Sequence, residues 1–300
     1  MATTTDMSTQ KERPALIARS IALMKPITWF AAMWAFLCGA VASGGLELSF
    51  ADITRLLLGI TMAGPILCGM SQVINDYFDR EIDALNEPDR LIPAGLVTDG
   101  QIIGTIIALL LVGFSLALVL GEKVAMLTGI GIVLALVYSA PPLRAKRNGW
   151  VGNTLVAIAY EGLAWLAGHV AFGTLSPESI LIAALYSFGA HGIMSINDYK
   201  SIEGDARVGI NPIPVLYGPH RAAWMIVITM NVAQAGVILA MLVWGNWIAA
   251  LVLVGIVMVQ IPTQRTFLQD PLENYLKFSA IGVSFFVWGM LVAAFGINAL

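Results

Sequence analysis

The most unusual feature of this sequence is a ten-residue acidic motif that occurs twice. The first copy, at 74–83, reads INDYFDREID, and the second, at 196–205, reads INDYKSIEGD. Laid over each other without a gap, they agree at Ile, Asn, Asp, Tyr, Glu and the final Asp, at an offset of 122 residues (196 − 74). Each copy ends a long apolar run, where acidic side chains are costly unless a cation compensates them. The two motifs are therefore the first place to expect chemistry.

The first motif places three carboxylates on one side of a helix. Asp76, Asp79 and Asp83 are spaced i, i+3, i+7, which puts them within about 60° of one another at about 100° per residue. Asn75 joins this face four residues before Asp79. These groups repel one another unless a hard divalent cation neutralises them, and Mg²⁺ takes few carboxylates while keeping other positions for water or phosphate. The spacing predicts a Mg²⁺ site.

The second motif repeats part of this pattern. Asp198 and Asp205 are again seven residues apart, with Asn197 alongside. Glu203 would lie about 140° from Asp198 on a regular helix, but Gly204 marks a point where the helix can open, so the orientation of Glu203 stays open. The candidate catalytic residues are Asp76, Asp79, Asp83, Asp198 and Asp205, and the predicted metal ligands add Asn75, Asn197 and Glu203.

Basic residues are needed beside these acids if two Mg²⁺ ions hold a diphosphate between the motifs, because Lys and Arg bind phosphate oxygens well. The positive-inside rule alone also places cations on one side of a membrane protein, so each assignment has a simpler alternative. The candidate diphosphate-binding residues are Lys25, Arg80, Arg90, Arg144, Lys146 and Lys200.

A metal–diphosphate site at the mouth of a membrane bundle indicates a substrate with a polar head and a tail that belongs in lipid. A polyprenyl diphosphate fits: metal and protein cations take charge off the leaving group, an allylic cation develops, and the cavity must exclude water. Aromatic faces stabilise cations by about 0.5–2 kcal/mol, and Tyr138 and Tyr160 are candidates for this pocket. Packing or interface anchoring is the alternative for both tyrosines.

The composition indicates the type of secondary structure that carries these motifs. The chain of 300 residues is 58% hydrophobic and 12% charged, with a mean hydropathy of +0.81, whereas soluble domains carry about 25% charged residues. The sequence therefore predicts an all-α polytopic membrane protein. The net charge of −3 and the lack of a basic stripe argue against a nucleic-acid partner.

Nine stretches are long and apolar enough to cross a bilayer, since a spanning helix needs about 20 such residues. The offset between the motifs predicts two related four-helix halves, about 22–141 and 151–264, plus a ninth helix around a central cavity, all within one transmembrane domain, 1–300. Four crossings are an even number, so the halves are expected to share one orientation. The predicted spans are 22–45, 53–74, 100–120, 124–141, 151–172, 178–197, 221–243, 246–264 and 277–298.

Lys and Arg are distributed unevenly between the two sides of this topology. Fourteen fall on one side, and only Arg55 and Lys123 fall on the other, so the positive-inside rule places the amino terminus in the cytoplasm. Both acidic motifs and the basic loop 144–147 lie on the same cytoplasmic side. Residues 1–20 are predicted to be a polar cytoplasmic tail, and no cleavable signal precedes the first apolar run.

Several stretches resemble a known family. The pattern NDxxDxxxD at 75–83 resembles the first signature of the UbiA superfamily of intramembrane prenyltransferases, as do nine helices with a second acidic motif on the same side. The match narrows to the chlorophyll and bacteriochlorophyll synthase branch through LMKPITWF at 23–30, MWAFLCG at 33–39, NDYFDREIDALNEPDR at 75–90, YSAPPLRAKRNGWVGN at 138–153 and NDYKSIEGD at 197–205. The resemblance runs from about residue 20 to 298.

The resemblance implies that a geranylgeranyl or phytyl diphosphate esterifies the propionate of a bacteriochlorophyllide or chlorophyllide, with diphosphate released and Mg²⁺ as cofactor. That nucleophile is already a carboxylate, so no general base is required. His191 lies seven residues before Asp198; ligation of the pigment by His191 is one interpretation, and a buried neutral histidine is the other. The expected setting is a bacterial inner or photosynthetic membrane, with lipid and pigment-assembly proteins as neighbours.

The sequence departs from the superfamily at one informative position. Ser201 stands where the second motif often has Asp, so the sequence leaves open whether Ser201 or Glu203 faces the metals. Leu91 and Ala94 replace residues of a common RPIPSG segment and are mild changes. Two other functions stay open: prenyl transfer to a quinone precursor or haem, and an ion-coupled carrier, although carriers place their charges near the middle of the membrane.

Overall fold

The computed structural model describes residues 15–207 and 209–300, and within them the chain is helical throughout, without a β-strand. The predicted all-α fold is confirmed. The α-helices are α1 Leu16–Leu23, α2 Phe30–Ala42, α3 Phe50–Thr61, α4 Gly69–Asn86, α5 Asp99–Leu120, α6 Glu122–Ser139, α7 Gly149–Ala157, α8 Ala164–Phe172, α9 Pro177–Met194, α10 Ile202–Arg207, α11 Ile213–Tyr217, α12 Pro219–Val243, α13 Trp247–Gln269, α14 Pro271–Phe278 and α15 Ser284–Asn298.

Six short segments of other helical types connect or interrupt these helices. Several α-helices join through π-helical turns into longer continuous helices. Pro65 explains one such turn, because a proline inside a helix removes a backbone N–H and shifts the hydrogen-bond ladder. The 3₁₀ segments are Pro26–Thr28, Ala145–Arg147 and Ser195–Lys200, and the π segments are Met62–Cys68, Ile158–Leu163 and Ser279–Val283.

Eight helical spans in the described part of the chain are long and apolar enough to cross a membrane. A ninth results if the bent pair Leu16–Thr28 and Phe30–Ala42, which turns by 62°, counts as one span. The predicted nine spans correspond to this larger count, and the chain is an integral, multi-pass membrane protein. The second span, Phe50–Leu85, is longer than the predicted 53–74 because its helix continues through the first acidic motif.

The amino-terminal prediction is only partly covered by the described residues. Residues 1–14 of the predicted tail, including Lys11 and Arg13 from the orientation count, lie outside them. Residues 16–20 of that tail already belong to α1, whose Leu16 and Ile17 are exposed. The orientation in the membrane and the relation between the halves 22–141 and 151–264 stay predictions.

Two glycines bring α2 and α8 into direct backbone contact at the centre of the bundle. A Cβ at Gly39 would collide with the carbonyl oxygen of Trp165, and a Cβ at Gly168 would collide with that of Phe36. Small residues allow such close approach between membrane helices, where packing rather than water exclusion favours association. The α2–α8 contact therefore depends on glycine at both positions.

Candidate active site

The first acidic motif lies on the uninterrupted helix α4. No glycine or proline occurs between Met70 and Asn86, and Pro88 follows closely enough to end the helix, because the residue before a proline disfavours helical geometry. The regular helix keeps the motif's carboxylates on one side, as the spacing predicts. Asp76 and Asp83 are buried, with 6% and 8% of their surface exposed.

Two cations from outside α4 neutralise the buried carboxylates. Lys25 Nζ, in the bend between α1 and α2, donates to Asp76 Oδ1 at 2.6 Å. Arg90 Nη1 donates to Asp83 Oδ2 at 2.9 Å and lies 3.8 Å from Asp76 Oδ1. Arg90 also pairs with Glu87. Both cations thus tie flanking segments to the motif.

The loop between α6 and α7 supplies two further cations, and both reach the middle carboxylate. Arg144 Nη2 donates to Asp79 Oδ1 at 2.8 Å and to the carbonyl oxygen of Phe78 at 3.0 Å. Lys146 Nζ lies 2.6 Å from Asp79 Oδ2 and donates to Asn75 Oδ1 at 2.8 Å. Burial lowers the pKa of Lys146, and the charge of Asp79 opposes this effect.

The ion pairs show that repulsion among the carboxylates of the first motif does not by itself require a metal, and their role as magnesium ligands stays a prediction. The repulsion among the carboxylates of Asp76, Asp79 and Asp83 was expected to require a divalent cation. In the structure the protein's own Lys and Arg side chains already neutralise them. Spacing along one helix does not reveal the cations that the fold brings to α4 from outside it.

Two of these cations occupy strained backbone positions. Within residues 15–207 and 209–300, a positive φ outside glycine occurs at Lys25, φ 47°, and Arg144, φ 39°. The left-handed region costs an L-residue about 1–2 kcal/mol, and such strain concentrates at functional sites. Each residue immediately precedes a 3₁₀ segment, so the strained residue turns the chain at the point where its side chain reaches α4.

The second motif is not a regular helix. It runs through the 3₁₀ segment Ser195–Lys200, a turn at Ser201 and the short helix α10. Ser201 Oγ donates to Asp205 Oδ2 at 2.7 Å. Burial raises the pKa of Asp205, and the hydrogen bond from Ser201 opposes this rise.

Asp198 differs from every carboxylate of the first motif. It lines the central cavity and is half-buried, yet no described side chain donates a hydrogen bond to its carboxylate or forms an ion pair with it. A carboxylate in such a place is costly unless a cation compensates it. Asp198 is thus the site's uncompensated acid within the part of the chain that the structure describes.

The central cavity has a volume of about 620 Å³ and joins the two motifs to the interior of the bundle. Both predicted tyrosines line it. Ser71 donates its proton to the carbonyl of Cys68 at 2.7 Å, so in its 2.7 Å contact with Tyr160 the tyrosine hydroxyl is the donor. Gln72 Nε2 donates to the same hydroxyl at 3.1 Å. The polar lining includes Ser71, Gln72, Asn75, Tyr138, Asn197 and Asp198, and the apolar lining includes Phe36, Met62, Leu127, Leu163, Ala164 and Ala167.

Ser71 and Gln72 line the cavity but are not among the residues predicted from the sequence. One feature of the sequence does indicate them, because these two polar residues stand one helical turn before Asn75 in an otherwise apolar run. One helical turn places them on the same side of α4 as the motif.

Four of the predicted residues do not join the group around α4. Arg80 is exposed and stacks over the ring of Tyr77, 4.6 Å from its centroid. Glu203 is exposed and lies 3.7 Å from Arg207. Lys200 is exposed, and His191 lies in a separate groove.

The donor atoms fit a magnesium ion that shares its coordination with a substrate. No group of three or more His, Cys, Asp or Glu side chains in residues 15–207 and 209–300 is arranged to hold a metal ion by itself. Mg²⁺ in phosphate-handling sites is commonly held by one or two carboxylates together with water and substrate phosphate. The uncompensated Asp198, together with the amide oxygens of Asn197 and Asn75 on the cavity wall, provides that kind of donor set.

Comparison with known proteins defines the class of this protein. The UbiA prenyltransferase family matches residues 32–290, and the chain belongs to that family. It is 54% identical over 289 residues to the "Bacteriochlorophyll synthase 34 kDa chain" of Chloroflexus aurantiacus, covering 96% of this chain and 93% of that protein. It is 40% identical over 280 residues to "Chlorophyll synthase, chloroplastic" of Avena sativa, covering 91% and 74%. The family predicted from the motifs is confirmed.

Solved structures agree in fold. A UbiA homolog from Archaeoglobus fulgidus bound to DMAPP and Mg²⁺ superposes with a TM-score of 0.69 at 20% identity, covering 92% of this chain and 99% of that one. The apo structure of a UbiA homolog from Aeropyrum pernix K1 gives 0.68 at 22% identity, covering 91% and 97%. The helical arrangement around the cavity is therefore that of the family.

Proposed function

We propose that this chain transfers a geranylgeranyl or phytyl group from its diphosphate to the propionate carboxylate of bacteriochlorophyllide or chlorophyllide, and releases diphosphate. The observation that carries the proposal is the central cavity, in which Asn75, Asn197 and Asp198 of the two motifs share one space with a lining of mainly apolar side chains. The tetrapyrrole acceptor is inferred from the similarity of this chain to the bacteriochlorophyll synthase of Chloroflexus aurantiacus and the chlorophyll synthase of Avena sativa.

The apolar part of the cavity suits an isoprenoid tail. Thr128 lines its inner part and Ser139 its outer part, and both belong to α6. They are about three turns apart, or about 16 Å at 1.5 Å rise per residue. A tail lying along this wall leaves its diphosphate at the end where Asn75 and Asp198 lie. The shape therefore separates the head of the donor from its tail.

The cations of the first motif are the proposed diphosphate-binding residues. Lys25, Arg90, Arg144 and Lys146 are already held by the carboxylates of α4. Groups held in advance by fixed partners need little reorganisation when charge develops on a leaving group. We assign diphosphate binding to these four cations; Arg80 and Lys200 are the weaker candidates, because the structure places both at the exposed surface.

The acidic motifs are the proposed magnesium ligands. Asn75, Asp76, Asp79 and Asp83 would serve one side of the diphosphate, and Asn197, Asp198 and Asp205 would serve the other. When bound, Mg²⁺ supplies further positive charge to the leaving diphosphate. Glu203 would have to leave Arg207 to take part.

The cavity wall protects and orients the reacting groups. Tyr138 and Tyr160 line the cavity, and their rings can stabilise an allylic cation there. The hydroxyl of Tyr160 is occupied by Ser71 and Gln72, so it is fixed rather than free to attack the cation. The incoming propionate is itself the nucleophile and needs no base from the protein.

The proposal includes a location. The motif end of the bundle faces the cytoplasm of a bacterial inner or photosynthetic membrane, as the distribution of Lys and Arg favours. Pigment-assembly proteins are the expected partners there.

The test uses membranes that contain the full-length protein. Each of bacteriochlorophyllide and chlorophyllide is supplied with geranylgeranyl or phytyl diphosphate and Mg²⁺, and products are identified by mass. An ester of one pigment supports the proposal. Prenylation only of a quinone precursor or haem, or labelled-ion uptake without any ester, would overturn it. Membranes with Asp198→Asn serve as the control for background esterification.

A further inference from the structure

A second groove lies on the flank of the bundle, between the α7–α8 helix and α9. Its volume is about 680 Å³, within the range of small-molecule sites. Its wall is almost entirely apolar and opens outward past exposed side chains, among them Ile158, Ile180 and Phe188. Leu163 lines both this groove and the central cavity, so one helix separates the two spaces.

The groove contains a histidine whose tautomer is fixed by its neighbour. Thr154 Oγ1 donates its one proton to the carbonyl oxygen of Trp150 at 2.8 Å. In the 3.1 Å contact between Thr154 Oγ1 and His191 Nδ1, the threonine oxygen must therefore accept and Nδ1 must carry the proton. A neutral imidazole protonated at Nδ1 has its lone pair on Nε2.

This arrangement is the one used to orient metal-ligating histidines. Such a histidine donates its other ring N–H to an oxygen acceptor, which fixes the ring and raises the basicity of the ligating nitrogen. No described residue forms a hydrogen bond with His191 Nε2. The nitrogen is therefore available to a ligand that enters the groove.

Trp150 and Tyr217 hold the imidazole ring of His191 in place. Trp150 stacks on the His191 ring, with centroids 5.5 Å apart and planes inclined by 25°. Trp150 is held in turn by its indole N–H, which donates to the hydroxyl of Tyr217 at 3.1 Å. A fixed imidazole in an apolar groove suits a large, mainly apolar ring with a metal at its centre.

We propose that this groove binds the macrocycle of a metal-bearing tetrapyrrole, with His191 Nε2 as the axial ligand of its central metal. The inference rests on the proposed function, which makes a magnesium tetrapyrrole the acceptor and its ester the product. His191 lies on α9, which leads directly into the 3₁₀ segment that carries Asn197 and Asp198. In this arrangement the macrocycle lies in the groove, next to the central cavity but not within it.

The test measures binding without turnover. Purified protein without any prenyl diphosphate is titrated with bacteriochlorophyllide, its zinc counterpart and its metal-free counterpart, and dissociation constants are taken from fluorescence. We expect the metal-bearing pigments to bind at least about tenfold more tightly than the metal-free one, the lower end of the effect of losing an interaction at a metal site. The absorption and resonance Raman spectra of the bound pigment report a nitrogen axial ligand.

Two variants separate ligation from packing. His191→Phe keeps an aromatic ring against Trp150 but removes the nitrogen, so the preference for metal should disappear while apolar binding persists. Thr154→Val keeps His191 but removes the acceptor for Nδ1–H, so the preference should shrink. His220→Phe and Thr266→Val are the matched controls, because His220 is exposed and lines neither space, and the Thr266 hydroxyl likewise donates four residues back, to Pro262.

The outcomes distinguish this inference from the function on which it rests. Equal binding of metal-bearing and metal-free pigment, or a metal preference that survives in a folded His191→Phe protein, overturns the inference even when the wild type forms ester. Displacement of all pigments alike by phospholipid also overturns it and indicates an acyl-chain groove. Absence of ester with a His191-dependent metal preference contradicts the function instead. Repeating the titration with free acid and esterified pigment shows whether acceptor or product is held, and a His191-dependent preference for metal in either supports the inference.

Discussion

The two acidic motifs share six of their ten residues, yet the structure places them in opposite electrostatic situations. The first lies on one regular helix, and Lys25, Arg90, Arg144 and Lys146 neutralise its carboxylates. The second crosses a 3₁₀ segment, a turn and a short helix, and no described side chain forms an ion pair or hydrogen bond with the Asp198 carboxylate. Two motifs with similar residues can therefore have different electrostatic roles.

The difference suggests that the two motifs have separate functions in binding the diphosphate and its metal. The first motif holds cations that can accept a diphosphate, whereas the second presents an acid that still lacks a positive partner. Charge at a buried site must be balanced by pairing or by a bound ion. On this view the second motif depends more strongly on an external cation, and the first depends more strongly on its own Lys and Arg. Four experiments test this division.

Removal of divalent metal has the largest expected effect. Exhaustive chelation should lower ester formation by at least about 100-fold, since a metal ion contributes several kcal/mol to charge stabilisation. Added MgCl₂ should restore it. Ester formation is measured by mass, and thermal unfolding before and after chelation shows whether the fold is retained. Activity that persists after chelation would contradict the need for a cation at Asp198.

Asp198→Asn should come next. The substitution removes the uncompensated charge, so we expect turnover to fall by about 100-fold or more while the unfolding temperature stays the same or rises. Because no described cation loses a partner, destabilisation is not expected. Turnover near wild type would remove Asp198 from the site, and a large loss of stability would show that it has a structural partner.

Asp76→Asn provides the contrast within the first motif. Turnover should also fall, but here Lys25 loses the negative charge that it pairs with at 2.6 Å, because the amide of Asn is neutral. Breaking a largely buried ion pair leaves the remaining charge without its counter-charge and destabilises the fold, so the unfolding temperature should drop. The pair Asp76→Asn and Asp198→Asn is compared by activity and by thermal unfolding in the same detergent. Equal stability of the two variants would argue against the difference between the motifs.

Ser201→Ala should have the smallest effect. The Ser201 hydroxyl stabilises the charged form of Asp205 and opposes the rise of its pKa that burial causes. Without the hydroxyl the pKa of Asp205 rises further, so more acid is protonated at a given pH. If the carboxylate binds metal, the acidic limb of the activity–pH profile moves to higher pH. Ser201→Asp adds a competing charge beside Asp205 and should alter magnesium affinity; an unchanged profile and affinity would show that residue 201 points away from the site.

Much of this architecture follows from the sequence, and the exceptions have physical causes. Apolar length predicts the spans, and helical periodicity groups the carboxylates of α4 correctly because no glycine or proline interrupts 70–86. The same periodicity fails across 197–205, where the backbone leaves α-helical geometry at Ser195 and again at Ser201. Helical periodicity therefore does not predict the orientation of the Glu203 side chain.

The cations show a second limit. Lys25 and Arg144 are distant from the motif in the chain, and their positive φ values turn the backbone at the points where their side chains reach α4. Composition predicts that cations lie on this side of the membrane, but it does not predict which of them pair. The sequence does not predict the groove around His191 either, because its walls come from the α7–α8 helix, α9 and Thr229 of α12, which only the fold brings together.

The close approach of α2 and α8 at Gly39 and Gly168 limits how the central cavity can be redesigned. Neither glycine accepts a side chain without forcing the two helices apart, so the distance between these helices is fixed. Phe36, Ala164 and Ala167 stand on the same two helices and line the cavity. Selection for donors with longer or shorter tails would therefore act on the size of these side chains, while the spacing of the helices behind them stays constant.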